Sequence, residues 1–370
     1  MKTILINATA AHSSGGLSVL KNFMSFLYSS QNLGNEFIFH LITSTQNLFF
    51  PTRYIIIHES PILNWKQRIA WDKKNIQKWC ETNNVFPDVV ISFQNTCSNF
   101  KNKYKNVKQV VYYHQLLPLV SYRWKWYRKS EFTLFLYSKF YGHFVNRWNK
   151  NAEYVVQLSY VKRLFCSKFK NIEPERVHVI IPNLCKIVIE DIETKAIDYN
   201  KKVFLFPAIP ARYKNHMVII EALELLKKEN PVLFSKVLVI FTVPEDSHIA
   251  IDIKSKKLEN TFACIGNISF DELLTYYKRC DALLFPSEIE SFGLPLIEAA
   301  SFGKPIIAAD LPYAREVLKN YKGCFFLKPR NANDWKNYIK KIIESNSEFI
   351  PLKTNPNNTW NDFISIISSL

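Results

Sequence analysis

The sequence predicts an α/β protein with two doubly wound domains, each built on a parallel β-sheet. At 370 residues, the chain is too long for one ordinary domain and about right for two. Short β-branched or aromatic runs alternate with helical patterns from end to end, which is typical of parallel sheets covered by helices on both faces. The alternation restarts after Asp198, so a second domain of the same type follows the first.

We therefore predict a first domain over 1–190, a linker near 186–200 and a second domain over 191–356. The predicted strands are short apolar runs at 3–6, 37–42, 54–58, 88–93, 107–113, 154–157, 177–180, 202–206, 237–242, 261–265, 282–285, 305–308 and 323–327. Helical patterns begin near Leu17, Asn64, Glu131, Tyr160, His216, Ser269 and Leu294. The tail, 357–370, contains a short amphipathic helix that we expect to pack back on the first domain.

Composition excludes several classes of protein. With 48% hydrophobic and 22% charged residues, the chain is globular rather than disordered. No apolar run approaches the ~18–20 residues of a membrane-spanning helix, and the apolar stretch at 3–6 is too short for a signal peptide. Seven scattered cysteines without a CxxC motif argue against a disulfide framework and a zinc site, and they fit a reducing cytoplasm.

The positive charge is concentrated in the first domain. Residues 1–190 hold 25 basic and 10 acidic residues, whereas 191–370 hold 23 and 22. The segment 101–150 has 11 basic residues against the single acid Glu131, and aromatic rings are interleaved with them. Such a mixture suits an anionic membrane surface, which we favour, but it also fits a basic face over core aromatics, or a nucleic-acid contact.

A glycine turn in the second domain predicts an anion site. A strand ends at Phe285, a short loop follows with Gly293, and Pro295 stands where a helix takes its first residue. Gly293 permits positive φ or a close backbone approach. The amides of Phe292, Gly293 and Leu294 would then point out of a helix N-terminus, which is suited to a diphosphate.

Two glutamates flank this turn. Glu290 precedes it, and Glu298 lies one turn inside the helix, where a carboxylate can accept hydrogen bonds from the paired hydroxyls of a ribose. An isolated glutamate at either position would more often be a helix cap or a solvated surface acid. The combination with Gly293 and Pro295 makes the spacing difficult to produce by chance.

Here the sequence resembles a known family. Glu290 and Glu298, separated by seven intervening residues, resemble the E-x7-E signature of retaining, nucleotide-sugar-dependent glycosyltransferases of family four, also called group 1, which have the GT-B fold. Gly266 after a strand and the order around the signature match as well, over about 203–327. The resemblance implies that Glu290 faces the donor sugar and that Glu298 holds the ribose. It also implies that sugar and phosphate are bound by the backbone of Ser291, Phe292, Gly293 and Leu294.

The resemblance extends to the loop after the first strand of the second domain. The family clamps the diphosphate there with an arginine and a following lysine, and Lys214 falls on the lysine position. The usual arginine position holds Ile209, with Ala208 in place of the neighbouring glycine. Arg212 is near enough to substitute, although its spacing places it on a different part of the loop. A solvated surface arginine is the alternative.

The first domain matches the family only at isolated points. Gly15 and Gly16 follow the first strand and open a helix, and the resemblance places this loop against the donor phosphates and the acceptor. His114 stands at a strand carboxyl end, where the resemblance implies contact with the donor sugar or help to the acceptor. Ser159 and Lys162 follow another strand end and are candidates for the acceptor side.

The resulting hypothesis is a retaining glycosyltransferase that moves a sugar from a UDP- or GDP-linked donor. The chain has no Asp-x-Asp pair, so we expect no cofactor and no metal, with cations and helix amides in the metal's place. The acceptor would be a lipid-linked glycan of O-antigen, capsule or lipopolysaccharide assembly. The enzyme would be cytoplasmic and bound peripherally to the inner face of the cytoplasmic membrane. Two alternatives remain: a GT-B sugar-nucleotide epimerase, and a basic nucleic-acid-binding protein, although no nucleic-acid motif appears.

Overall fold

A computed structural model of the chain describes residues 1–12, 14–182, 201–345, 349–353 and 359–370. The chain divides into two compact units. Unit 1 comprises Met1–Cys185 and Pro356–Leu370, and unit 2 comprises Lys186–Asn355. The predicted linker at 186–200 lies outside the described residues.

Unit 1 is built on a seven-stranded, all-parallel sheet. Its strands are β1 (Lys2–Ala8), β2 (Phe37–Thr43), β3 (Ile55–Glu59), β4 (Val89–Ser92), β5 (Lys108–Tyr112), β6 (Glu153–Val156) and β7 (Val177–Val179), in the order β3-β2-β1-β4-β5-β6-β7. The order reverses between β1 and β4, which creates a topological switch point at their carboxyl ends. The central strands match predicted apolar runs because a strand buried on both faces must be apolar at nearly every position.

The helices of unit 1 follow the strands that they cover. They are α1 (Ser14–Ser29), α2 (Trp65–Ala70), α3 (Ile76–Thr82), α4 (Lys129–Phe140) and α5 (Ser159–Lys168), with a π-helical turn, Trp71–Asn75, joining α2 to α3. Asn64 caps α2 through a reciprocal pair of hydrogen bonds with Gln67, so the helix begins where the sequence predicts.

Unit 2 repeats the same plan. Its strands are β8 (Lys202–Phe206), β9 (Val237–Phe241), β10 (Phe262–Cys264), β11 (Ala282–Phe285), β12 (Ile306–Ala309) and β13 (Cys324–Leu327), all parallel, in the order β10-β9-β8-β11-β12-β13. Its helices are α6 (His216–Glu229), α7 (Pro231–Ser235), α8 (His248–Ser255), α9 (Phe270–Arg279), α10 (Leu294–Ser301), α11 (Pro312–Val317) and α12 (Ala332–Glu344). The switch point of this sheet lies between β8 and β11.

A final helix, α13 (Thr359–Ser369), completes the core of unit 1, as the amphipathic tail predicts. Trp360 is fully buried, and its ring lies 4.8 Å from that of Phe23 and 5.9 Å from that of Tyr112, measured between centroids. The indole Nε1 donates a 2.7 Å hydrogen bond to Oδ1 of Asn22. The sheet of unit 1 is therefore closed on one face by residues that come from the other end of the sequence.

Candidate functional site

The glycine turn of unit 2 lies at the switch point of its sheet. The chain leaves β11 at Phe285, and Gly293 adopts φ +85° immediately before α10. Helix α10 begins at Leu294, so Pro295 is its second residue, whereas the sequence predicts the first position. Either position suits proline because the first helical amides have no acceptor within the helix. Those amides point out of the helix N-terminus, at the carboxyl edge of the sheet.

Packing as well as backbone conformation requires a glycine at position 293. A β-carbon there would lie 3.2 Å from Cδ1 of Leu296 and 3.5 Å from ring carbons of Phe285 and Tyr313. The positive φ also disfavours any residue with a β-carbon. The turn is thus held in one conformation by the apolar side chains beneath it.

Lys214 and Glu290, which the sequence places in separate loops, meet in an ion pair. Nζ of Lys214 lies 2.6 Å from Oε1 of Glu290, and the two side chains are only 15% and 13% exposed. Burial disfavours the ammonium, but the carboxylate of Glu290 and the hydroxyl of Tyr213 oppose this effect, and the pKa of Lys214 is raised above its usual value. Lys214 is therefore a fixed positive charge at the switch point.

Hydrogen bonds of both neighbouring residues, Tyr213 and Asn215, fix the loop that carries Lys214. The amide of Glu288 donates to the carbonyl of Tyr213 at 2.7 Å. Asn215, in the left-handed conformation at φ 61°, donates from Nδ2 to the carbonyl of Pro329 at 2.6 Å. The lysine is thus positioned by the backbone on both sides, independently of its own side-chain contact.

Glu298 lies in α10 with its carboxylate turned into the unit. The residue is 8% exposed, and its Oε2 accepts a 2.7 Å hydrogen bond from the hydroxyl of Tyr277, on α9. Burial raises the pKa of Glu298 to about 7, although the bond from Tyr277 acts in the opposite direction. A carboxyl with this pKa changes charge near neutral pH.

With the ribose-binding role that the family resemblance implies for Glu298, this pKa predicts a pH dependence of donor binding. Below about pH 7 the Glu298 carboxyl is protonated, and above it the carboxylate accepts stronger hydrogen bonds from ribose hydroxyls. We expect calorimetry to show several-fold tighter binding of a nucleotide sugar at pH 8 than at pH 6, and no such change for Glu298→Gln. The diphosphate diester of the donor keeps its charge over this range. An equal pH dependence in both proteins would contradict the role of Glu298.

Two further donor-site candidates of unit 2, Arg212 and Gly266, lie at different distances from the glycine turn along the sheet edge. Arg212 opens the 3-10 turn Arg212–Lys214 and is half-buried. It therefore shares one turn with Lys214, whereas the spacing suggested a different part of the loop. Gly266 follows β10 with φ +73°, and its amide donates to the carbonyl of Val243. Strand β9 separates β10 from β8, so Gly266 lies at the far side of the same sheet edge.

In unit 1, the structure brings the glycine pair close to His114. Gly15 and Gly16 lie in the first turn of α1, and a β-carbon on Gly16 would lie 3.2 Å from Nε2 of His114. The amide of His114 donates to Oδ1 of Asn95 at 2.6 Å. Burial lowers the pKa of His114 to about 4, with a smaller opposing contribution from the carbonyl of Tyr112, so the imidazole is neutral at physiological pH.

The remaining sequence predictions concern the acceptor side, a metal site and a membrane-spanning helix. Ser159 and Lys162 both lie in the first turn of α5, after β6. Ser13, which precedes the glycine pair, is outside the described residues. Across the described part of the chain, no group of three or more His, Cys, Asp or Glu side chains is arranged to hold a metal ion. No helix there has the length and hydropathy to cross a membrane.

Several residues of the site were not found by sequence reasoning. Tyr277 resembles an ordinary core aromatic of an amphipathic helix, and nothing in its pattern indicates a bond to Glu298. Asn215 carried a weak signal, because asparagine tolerates the left-handed conformation better than most residues. Arg330, on the turn after β13, binds Glu288 through two nitrogens at 2.5 and 2.8 Å.

The family comparison matches one of the two units. Residues 188–357 match the family model described as Glycosyl transferases group 1. This range coincides with unit 2 to within two residues at each end. The match therefore includes the Lys214–Glu290 pair, the glycine turn and Glu298.

Individual relatives and solved structures extend the comparison to the whole chain. The chain is 26% identical over 248 residues to the O-antigen chain mannosyltransferase RfbU of Salmonella typhimurium. The aligned region covers 65% of this chain and 66% of RfbU, so the chain spans just under two thirds of the length of this relative. The crystal structure of Anabaena Alr3699/HepE in complex with UDP and glucose superposes with a TM-score of 0.66 at 16% identity, covering both chains in full. WaaG, a glycosyltransferase involved in lipopolysaccharide biosynthesis, gives a TM-score of 0.64 at 14% identity over 93% of this chain and 90% of WaaG. The predicted GT-B fold is confirmed.

Proposed function

We propose that this protein, whose residues 188–357 match the glycosyl transferases group 1 model, transfers a sugar from a nucleotide-sugar donor to a membrane-associated glycan. One observation carries the proposal. The buried Lys214–Glu290 pair lies in the same pair of loops as the glycine turn that opens α10, at the switch point of unit 2. Ligands of open α/β sheets bind at such points.

Each group has a role in donor binding. Lys214 and the first amides of α10 bind the diphosphate, and they stabilise the negative charge that grows on it as the sugar leaves. Glu290 accepts hydrogen bonds from the sugar hydroxyls, and Glu298 accepts them from the ribose. When a diphosphate enters, the ammonium of Lys214 is shared between it and Glu290.

The proposed reaction retains the configuration of the sugar. The bond between the anomeric carbon and the donor phosphate oxygen breaks, and a bond to the acceptor oxygen forms on the same face. The acceptor proton passes to the departing phosphate oxygen. The positive charge of Lys214 and the helix amides stabilises this leaving group without a metal ion.

The acceptor assignment is supported by a relative and by charge. RfbU is an O-antigen chain mannosyltransferase, and WaaG takes part in lipopolysaccharide biosynthesis. The basic excess of residues 1–190 favours an acceptor presented at an anionic surface. We therefore place the enzyme in the assembly of a bacterial surface polysaccharide, with unit 1 binding the lipid-linked acceptor.

Donor identity is tested by thermal shift against UDP, GDP and their sugar conjugates. We expect one nucleoside diphosphate and its conjugates to raise the melting temperature, because a ligand that binds only the folded state stabilises it. The selected donor is then incubated with a lipid-linked glycan, and transfer is measured by mass spectrometry. Conversion of the donor without any acceptor would instead identify an epimerase.

Exposed aromatic rings define a candidate membrane surface within 101–150. Four of the rings in this segment are exposed: Trp126, Tyr127, Phe132 and Phe140. Arg123 and Arg128 are exposed beside the first two. Aromatic rings favour the headgroup region of a bilayer, and the basic side chains attract anionic lipid. We propose that this surface holds the enzyme, as a peripheral protein, on the cytoplasmic leaflet.

Liposome co-sedimentation tests the membrane surface. We expect the protein to pellet with vesicles containing anionic lipid at moderate salt and to remain in solution with neutral vesicles. Replacing Trp126 and Tyr127 by serine should reduce the bound fraction several-fold. Phe270→Ser, which removes an exposed aromatic ring from unit 2, should not. Binding that is unchanged by the paired substitution would exclude this surface.

A further inference from the structure

A buried carboxylate of unit 1 lies outside the groups assigned so far. Asp72, in the π-helical turn between α2 and α3, is 3% exposed. Its carboxylate accepts hydrogen bonds from Oγ1 of Thr96 at 2.5 Å, and from Oγ of Ser98 and Nδ2 of Asn7 at 3.3 Å. Since π-helical turns are frequent at functional sites, this network draws attention to what lies around it.

Uncharged side chains donate all of these hydrogen bonds to the Asp72 carboxylate, so it does not need a cation as a partner. Burial raises the pKa of Asp72 to about 7, against the opposing effect of its hydrogen-bond donors. Among the residues that the structure describes, no Lys, Arg or His forms an ion pair with it. A basic side chain close to Asp72 is therefore available for another anion.

Arg68 is such a side chain. It lies in α2, four residues before Asp72 and hence on the same helical face, and it is half-buried. Within the described ranges, its guanidinium makes no side-chain hydrogen bond and no ion pair. Its charge affects the pKa values of Asp72, His114, Tyr137 and Tyr141, which belong to the π-helical turn, the end of β5 and the region of α4.

Two of these residues, Tyr137 and Tyr141, form an aromatic pair that is tied to the switch point of unit 1. The rings of Tyr137 and Tyr141 are stacked, with centroids 4.1 Å apart. The hydroxyl of Tyr141 donates to the carbonyl of Gln94, which follows β4 at the switch point of unit 1. Burial raises the pKa of both tyrosines, which therefore stay neutral and do not compete for the guanidinium.

We propose that Arg68 binds a phosphate or diphosphate group of the acceptor at the switch point of unit 1. A guanidinium presents five donors in a planar fork that matches phosphate oxygens, and partial burial strengthens such a bond. Asp72, one turn after Arg68, is bonded to Asn7 of β1 and to Thr96 after β4, which puts this part of the chain at the switch point. The proposal rests on the proposed function, in which unit 1 receives a lipid-linked acceptor.

Binding of inorganic pyrophosphate tests the site without requiring catalysis. Calorimetry is performed on the full chain in a Lys214→Gln background, which weakens the diphosphate site of unit 2. We expect Arg68→Gln to weaken the remaining binding at least tenfold, Arg68→Lys to keep most of it, and Arg53→Gln, which removes an exposed arginine of the same unit, to leave it unchanged. Affinity independent of Arg68 would overturn the proposal, provided that circular dichroism shows folded variants.

Steady-state kinetics then identify which substrate carries the anion. With a prenyl-diphosphate-linked sugar as acceptor, Arg68→Gln should raise the acceptor KM about tenfold and leave the donor KM within twofold. A rise in the donor KM alone would reassign Arg68 to the donor and overturn the acceptor site. A protein that binds pyrophosphate through Arg68 but transfers no sugar would refute the proposed function and leave the anion site standing.

Discussion

Lys214→Met is expected to lower kcat for sugar transfer by about 10²–10³, because it removes a charge that stabilises the leaving diphosphate where charge develops. The Lys214 side chain is 15% exposed, so little water is available to replace its charge. The substitution also leaves the Glu290 carboxylate buried beside an apolar side chain, which weakens its own hold on the sugar. The measurement is kcat at saturating donor and acceptor, with donor affinity determined separately by calorimetry.

A second lysine of unit 2 provides the matched control. Lys202 forms an ion pair with Asp281 at 3.0 Å, at the start of β8 and away from its carboxyl end. Lys202→Met removes the same charge and the same kind of contact from the unit, and we expect kcat within twofold of the wild type. If Lys214→Met retained more than a third of wild-type kcat, the charge of Lys214 would have no part in catalysis.

Trp360→Ala is expected to lower the free energy of unfolding of unit 1 by about 3–5 kcal/mol, the usual cost of replacing a large buried ring with alanine. The indole is fully buried among aromatic rings of α1 and β5, and its Nε1 bond to Asn22 is lost as well. Urea denaturation followed by far-UV circular dichroism measures the loss. Trp360→Phe, which keeps much of the volume, should cost less.

The other unit supplies a control for this prediction too. Trp335, in α12, is equally buried, and its Nε1 donates to the carbonyl of Lys328 at 3.1 Å. Trp335→Ala should destabilise unit 2, so hydrogen exchange should report loss of protection in unit 2 for this variant and in unit 1 for Trp360→Ala. A loss below about 1 kcal/mol for Trp360→Ala would mean that α13 contributes little to the core.

The sequence predicts the layout of the fold well because its dominant signal is local. Strands buried on both faces must be apolar runs, and the helices between them must be amphipathic, so their order follows from the pattern. The glycine turn is local too: Gly293 and its two flanking glutamates lie within nine residues. Such features are readable because the chemistry and the backbone requirement occupy one short segment.

The contacts that complete the site were not predictable because they join distant segments. Lys214 and Glu290 are 76 residues apart, and each alone is compatible with a solvated position. The network of Asp72 joins β1, a π-helical turn and the segment after β4. No single-sequence pattern indicates which polar side chains will meet at the carboxyl edge of a sheet.

The position of α13 has a consequence for synthesis of the protein in the cell. A nascent chain emerges from the ribosome in order, and domains usually begin to fold as they appear. The core of unit 1 lacks Trp360, Phe363 and Ile367 until translation has passed through the whole of unit 2. Unit 2, although translated later, has its own core and can reach its native state first, while unit 1 waits with an apolar face that chaperones would have to shield.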